Sequence, residues 1–226
     1  MDREEFDSYF KLGVSVTLIV FGFEEGKLKI FTNKINRNPY KGAWSLPGRL
    51  IRSDEGLDEV AEELLMESIG NRDVYLEQLN AFGKVTRHPL GRVVDVTFYS
   101  LINIQEDVVS YRADKEIRWI ESDRLPELAY DNNSMLDLAL QRLRRRLINR
   151  PIGFKLLPKE FTLNDLQELY EQILNRSLDK RNFRKKVMKL DILTECGRED
   201  TESPGRKPML YSFNPKRYSH YMEQGF

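Results

Sequence analysis

The chain has 226 residues, enough for one large or two modest domains, and its hydrophobic fraction of 40% is that of a globular protein. No run approaches the roughly 18 apolar residues of a membrane span, the start Met1-Asp-Arg-Glu-Glu5 is unlike a secretion signal, and a lone cysteine, Cys196, permits no internal disulfide. A cytoplasmic protein without membrane association is expected. Two histidines, His88 and His220, are too few for a histidine-built zinc site.

The formal net charge of zero conceals a division. Residues 1–139 carry 17 Lys+Arg against 25 Asp+Glu, and residues 140–226 carry 19 against 11, so the halves stand at −8 and +8. Such asymmetry points to two domains, with a polyanion as partner of the second.

Leu12 to Phe23 is a nearly continuous β-branched and aromatic run, which predicts a strand buried on both faces. Glu24-Glu25-Gly26 turns it back into Lys27–Asn33 as a hairpin. A polar loop from Lys34, with Asn38-Pro39 and Gly42, leads to Trp44-Ser-Leu-Pro-Gly48. Leu57, Val60, Ala61, Leu64 and Leu65 then recur at i, i+3, i+4, i+7 and i+8, an amphipathic helix ending near Gly70. Leu76–Thr86 and Arg92–Ile104 read as strands around the turn His88-Pro-Leu-Gly91. In the second of them Val94, Val96, Phe98 and Ile102 share one face, while Val93, Asp95, Thr97, Tyr99 and Leu101 share the other. Glu116–Ile120 closes the sheet. From Asn132 the period changes: Leu136, Leu140, Leu143 and Leu147 form a helical seam, with Arg142, Arg145 and Arg146 on another face. Asn149-Arg150-Pro151 ends that helix, which reads as a linker and as a candidate dimer seam.

The last segment is a compact basic unit. Thr162 caps a helix whose apolar face is Leu163, Leu166, Tyr170, Ile173 and Leu174. Asp179 caps a second helix, in which Phe183, Val187 and Leu190 face a core and leave Lys180, Arg181, Asn182, Arg184, Lys185 and Lys186 for solvent or phosphate. Leu190–Glu195 and Met209–Phe213 form a hairpin whose tip holds Arg206 and Lys207. Helix, short turn, basic helix and basic-tipped hairpin is a winged helix-turn-helix. Asn182 suits adenine and Arg181 or Arg184 suits guanine. Lys185, Lys186 and the arginines 142, 145 and 146 suit phosphate contacts, and Arg206 with Lys207 suit a minor groove.

The stretch Gly48 to Gly70, with Leu46-Pro47-Gly48 before it and Glu55, Glu67 and Gly70 in place, resembles the Nudix box, whose glutamates hold the divalent cation of a diphosphate hydrolase. It departs from that box where chemistry is concentrated. Arg49 stands at a glycine, Glu63 at the arginine, Leu64 at the first glutamate of the helical run and Ser68 at the last. The resemblance therefore implies a kept scaffold with lost catalysis: no enzyme, no metal and no cofactor. The two halves together resemble the Nudix-related transcriptional regulators of the NrtR family. The resemblance is tightest in Arg118-Trp-Ile120, Leu125-Pro-Glu-Leu-Ala-Tyr-Asp131, Leu156-Leu-Pro158 and Leu178–Lys186.

The expected fold is α+β: a Nudix-like mixed sheet with helices over 1–131, a linker helix over 132–151 and a winged helix-turn-helix over 152–226. The resemblance implies a homodimeric repressor on a palindromic duplex operator, released by a small effector. Loss of the metal carboxylates favours a neutral sugar over a pyrophosphate, a pentose such as L-arabinose in a branch controlling carbohydrate utilisation. Lys34, Tyr40, Trp44, Arg49, Glu55, His88 and Asp95 are candidates for its pocket by their position near the box. The alternative is a Nudix hydrolase, or an NAD-metabolism regulator, binding ADP-ribose-type nucleotides with Mg²⁺.

Overall fold

A computed structural model describes residues 12–108, 116–149, 152–198 and 207–223. The apolar run forms β1 (Gly13–Glu24), and its hairpin partner is β2 (Lys27–Lys34). Two short strands follow, β3 (Trp44–Ser45) and β4 (Gly48–Leu50), then the box helix α1 (Leu57–Ile69). β5 (Tyr75–Phe82), β6 (Val93–Asn103), the single turn α2 (Ile104–Asp107) and β7 (Ile117–Glu121) complete the first unit. These strands make one seven-stranded sheet in the order β3-β2-β1-β6-β5, with β4 on β1 and β7 on β2. Among the described strands only β1 and β6 run parallel, paired from Gly13 with Val93 to Phe23 with Asn103.

Both faces of the sheet are covered, which is why β1 reads as an unbroken apolar run. Val16, Leu18 and Val20 of β1, with Val96, Phe98 and Ile102 of β6, pack against Val60, Ala61, Leu64 and Leu65 of α1. Ile19, Phe21 and Phe23, with Tyr99 and Leu101, face the other way. There they meet α3 (Asn132–Asn149) through Met135, Leu136, Ala139, Leu143 and Leu147. The expected alternation in β6 is therefore observed. The leucine seam is directed inward, into its own chain: Leu143 is fully buried and Leu147 nearly so. These side chains are not available to a dimer partner. The expected helix end at Arg150-Pro151 lies outside the described residues.

The same buried cluster continues without interruption into the last segment. A 3₁₀ turn (Ile152–Leu156) lies against β1 and β6. It leads to β8 (Phe161–Thr162), α4 (Leu163–Leu174), α5 (Lys180–Lys189), β9 (Leu193–Arg198), β10 (Met209–Phe213) and α6 (Pro215–Glu223). Strands order β8-β10-β9. Helix α4 also approaches the β1–β2 turn, where a Cβ added to Gly26 (φ +72°) would sit 3.0 Å from a Glu168 carboxylate oxygen. The expected strand from Leu190 starts later, at Leu193, because Leu190 caps α5 and Asp191 takes φ +50°. α6 was not expected from the sequence; Tyr218 seats it on Phe213, which stacks at 4.6 Å on Phe154.

Candidate DNA-binding surface and effector site

The helix-turn-helix is built by local hydrogen bonds. Thr162 accepts from the Asp165 amide, and the Asp165 carboxylate accepts from the Thr162 amide, a reciprocal cap of about 1 kcal/mol. Asn175 ends α4 in the left-handed region (φ 51°). The Glu171 carboxylate then accepts from the Leu178 amide at 2.7 Å and from Gln167, which holds its pKa below the usual range and fixes the turn. Asp179 caps α5 by accepting from the Asn182 amide.

Phe183 and Val187 are buried, Phe183 edge-on to Tyr170 at 5.3 Å. Lys180, Arg181, Asn182, Arg184, Lys185 and Lys186 are all exposed. Arg184 donates to the Asn164 side chain at 3.0 Å, and Lys180 borders a polar groove with Gln167, Glu168 and Glu171. Arg206 lies outside the described residues. The Lys207 carbonyl accepts from Arg198 at the base of the wing.

Of the three α3 arginines expected to contact phosphate, two are engaged elsewhere. Arg146 donates to Glu77 at 2.5 Å and to the Tyr75 hydroxyl, and Arg142 donates to the Leu79 carbonyl, so both bind the helix to β5. Arg145 is exposed. Arg144, which sequence reasoning passed over, donates to the Ile173 carbonyl at 2.8 Å and ties α3 to α4.

The seven pocket candidates fall on two sides of the sheet. Arg49 pairs with Val16 on the α1 face. It donates to Glu55 at 2.7 and 3.1 Å and to Glu63 of α1 at 2.5 Å. Leu64 and Ser68 are buried on that helix. Among the described residues no cluster of His, Cys, Asp or Glu can hold a metal ion. The donor set present does not fit the divalent cation of the Nudix box.

Lys34, Tyr40, Trp44, His88 and Asp95 gather on the α3 side, around a residue the sequence reading missed. Tyr130, at φ 58° just before α3, contacts Tyr40 at 4.5 Å and lies parallel to His88 at 5.5 Å. The Trp44 carbonyl accepts from Ala129, and Lys34 and Arg118 lie over the Trp44 ring at 5.6 and 5.1 Å. Lys34 also pairs with Glu116.

Asp95 does not line an open pocket. It is 1% exposed, with Ser15 and Thr17 donating to one oxygen and Thr97 to the other. Burial pushes its carboxyl up, while those hydrogen bonds and the Arg87 charge oppose the rise. Arg87, itself buried in a loop, stands 3.8 Å from Asp95 and grips Asp131 in a bidentate pair at 2.8 and 3.0 Å. The aromatic cluster is thereby joined to the start of α3. The three consecutive helix-starting residues Asp131-Asn-Asn133 were the only local signal of that junction.

Burial, and then the neighbouring Arg87 charge, hold the His88 pKa below 6.5. Its Nδ1 accepts from the Leu90 amide, which needs an unprotonated nitrogen. A depressed histidine pKa contributes stability that is complete above the ordinary value and is lost as pH falls from about 6.5 through the folded value. An NMR titration of His88 is expected to show a midpoint below 6.5; a midpoint above it would contradict the neutral stack on Tyr130.

The class defined by this architecture is a Nudix-like domain fused to a winged helix. Residues 153–213 match the family model described as the NrtR DNA-binding winged helix domain. The ADPR responsive transcriptional repressor NtrR of Acinetobacter baylyi is 29% identical over 210 residues, spanning 91% of this chain and 83% of that protein. Shewanella oneidensis NrtR, in a crystal structure with a 27mer DNA, superposes with a TM-score of 0.76 at 26% identity, over 91% of this chain and 95% of that one. The ADP-ribose pyrophosphatase of Methanocaldococcus jannaschii is 26% identical over 127 residues, 56% of this chain and 75% of that protein. The chain is thus similar, over nine-tenths of its length, to Nudix-fused winged-helix regulators of the NrtR type. Among the described residues no helix is long and apolar enough to cross a membrane.

Proposed function

We infer that the chain is a cytoplasmic DNA-binding transcriptional repressor whose Nudix-like domain senses a small molecule. The observation that carries this reading is the exposed basic face of α5, seated by Phe183 and Val187 beside a wing, in a chain that follows a DNA-bound relative over nine-tenths of its length. It acts as a homodimer on a palindromic operator. Palindromic half-sites demand a fixed spacing, so a small reorientation of the winged helices loses one of two grips. The effector must bind the released geometry better than the bound one, or it shifts nothing.

The effector this reading favours is an ADP-ribose-type nucleotide, supported by the description of the Acinetobacter relative. The Acinetobacter and Methanocaldococcus relatives are named for ADP-ribose, not for a free sugar. A pentose remains the second reading on one observation: the Arg49 guanidinium is already engaged by two carboxylates, and so offers a pyrophosphate little attraction. The protein is not expected to hydrolyse ADP-ribose in Mg²⁺.

Thermal shift and operator gel shift against ADP-ribose, NAD, L-arabinose and D-xylose decide between these. At 100-fold excess over Kd, ADP-ribose is expected to add about 2.7 kcal/mol to folding stability by mass action and to weaken operator binding. A pentose doing both, with ADP-ribose doing neither, would transfer the effector site to the sugar reading. Unchanged operator affinity with every ligand would remove ligand control altogether.

A further inference from the structure

We propose that Arg49 is the resident counter-charge of the degenerate box, standing in for a divalent ion and closing the domain to metal. A divalent cation would need Glu55 and the acidic face of α1 to converge on open space with several oxygens. Here both Glu55 oxygens are taken by the Arg49 guanidinium, and one of them also accepts from the Arg52 amide at 2.6 Å. Glu63 takes the second guanidinium nitrogen. The same arginine donates to the Leu50 carbonyl, which holds its stem along β4.

Position 49 is also where a side chain can reach this place. Gly48 is pressed against β1, where an added Cβ would meet the Val16 carbonyl oxygen at 2.9 Å; the residue after it projects to the α1 face. The planar fork of arginine satisfies two carboxylates at once, which a lysine would do as a point charge only. One arginine thus replaces the charge and the cross-linking that a metal would supply between the β4–α1 loop and the helix. Its cost is that the triad is already paired and offers a metal no free carboxylate pair.

It follows that effector binding needs no Mg²⁺. This last consequence rests on the reading of the domain as a ligand sensor; the closing of the box does not.

Mn²⁺ titration of the full chain, read by the electron paramagnetic resonance signal of the free ion, tests the closing directly. The wild-type protein is expected to leave the signal of the free ion unchanged up to millimolar Mn²⁺. Arg49→Gly is expected to bind Mn²⁺ at least about tenfold more tightly, within the roughly 10- to 100-fold range over which a partner of the ligands shifts metal affinity. Arg49→Gln, which keeps the size without the charge, serves where the glycine variant melts early by circular dichroism. Stoichiometric Mn²⁺ binding by the wild type, or folded variants that gain none, overturns the proposal. Calorimetry with ADP-ribose in EDTA and in Mg²⁺ separates the two readings. Equal affinity supports both, Mg²⁺-dependent binding sinks the role of Arg49 alone, and no binding in either buffer sinks the nucleotide effector while the Mn²⁺ result still decides Arg49.

Discussion

Replacing Arg181, Asn182 and Arg184 together by alanine is expected to abolish sequence-specific operator binding while leaving the fold intact. All three side chains are exposed on the first turns of α5. The apolar seat of that helix is made by Phe183 and Val187, which the substitutions leave in place. Each good base-edge contact discriminates by about 1–3 kcal/mol, so losing two or three lowers specific affinity by roughly a hundredfold or more. Fluorescence anisotropy on an operator duplex and on a scrambled duplex measures the difference. Lys185→Ala gives the contrasting result: weaker binding to both duplexes alike, with the salt slope reduced by about 1. Wild-type discrimination retained by the triple variant would remove α5 from base recognition.

Arg87→Met is expected to be the most damaging single substitution in the Nudix-like domain. The arginine side chain is 4% exposed and faces Asp95, 1% exposed, and Asp131. Removing one partner of a buried ionic group leaves the others uncompensated, at a cost of about 3–5 kcal/mol. Urea unfolding at pH 7 measures that loss. The pH dependence has a definite sign. The Asp95 pKa is already raised, chiefly by burial, and loses the opposing charge of Arg87. A raised carboxyl pKa means stability that is present below the unfolded value and lost as pH rises through the folded value. The variant is therefore penalised less in acid than at neutrality. Adding Asp95→Asn, which removes the orphaned charge, is expected to restore part of the stability. A loss below about 1 kcal/mol, or the same loss at all pH values, would show that the triad is not coupled as its geometry implies.

How much of this was legible in the sequence depended on how far each signal travels along the chain. β1 could be read because both of its faces are covered, and β6 because Tyr99 and Phe98 fall on opposite cores. The helix-turn-helix could be read because its caps and its Phe183–Val187 spacing are local. β3 could be read only as a strand end before Pro47-Gly48, and β4, where a loop is expected, not at all. They are two and three residues long and exist only because β2 and β1 pair with them. The same distance effect divided the candidate pocket. Which face Arg49 takes is set by its pairing with Val16, not by its nearness to the box. Asp95 reads as a polar interruption in a strand, and of its partners only Thr97 lies on that strand; Ser15, Thr17 and Arg87 come from another strand and a loop. Arg87 itself sits among turn residues that read as surface. Nothing near it in sequence says that it is buried between two carboxylates.

The buried cluster that begins at Ile19 in the sheet and ends at Ile173, Ile192 and Tyr211 in the winged segment has one consequence for how such a regulator can be taken apart. No boundary between the sheet and the winged segment leaves this cluster whole. A cut after Asn149 would strip α3 of the residues that cover Leu147, and would strip the winged segment of its backing, so neither fragment would own a complete interior. Within one protomer a ligand of the proposed kind, bound at the aromatic cluster around Tyr130, would therefore push on a single body. In the dimer proposed above, release from an operator would then come from movement between the two copies.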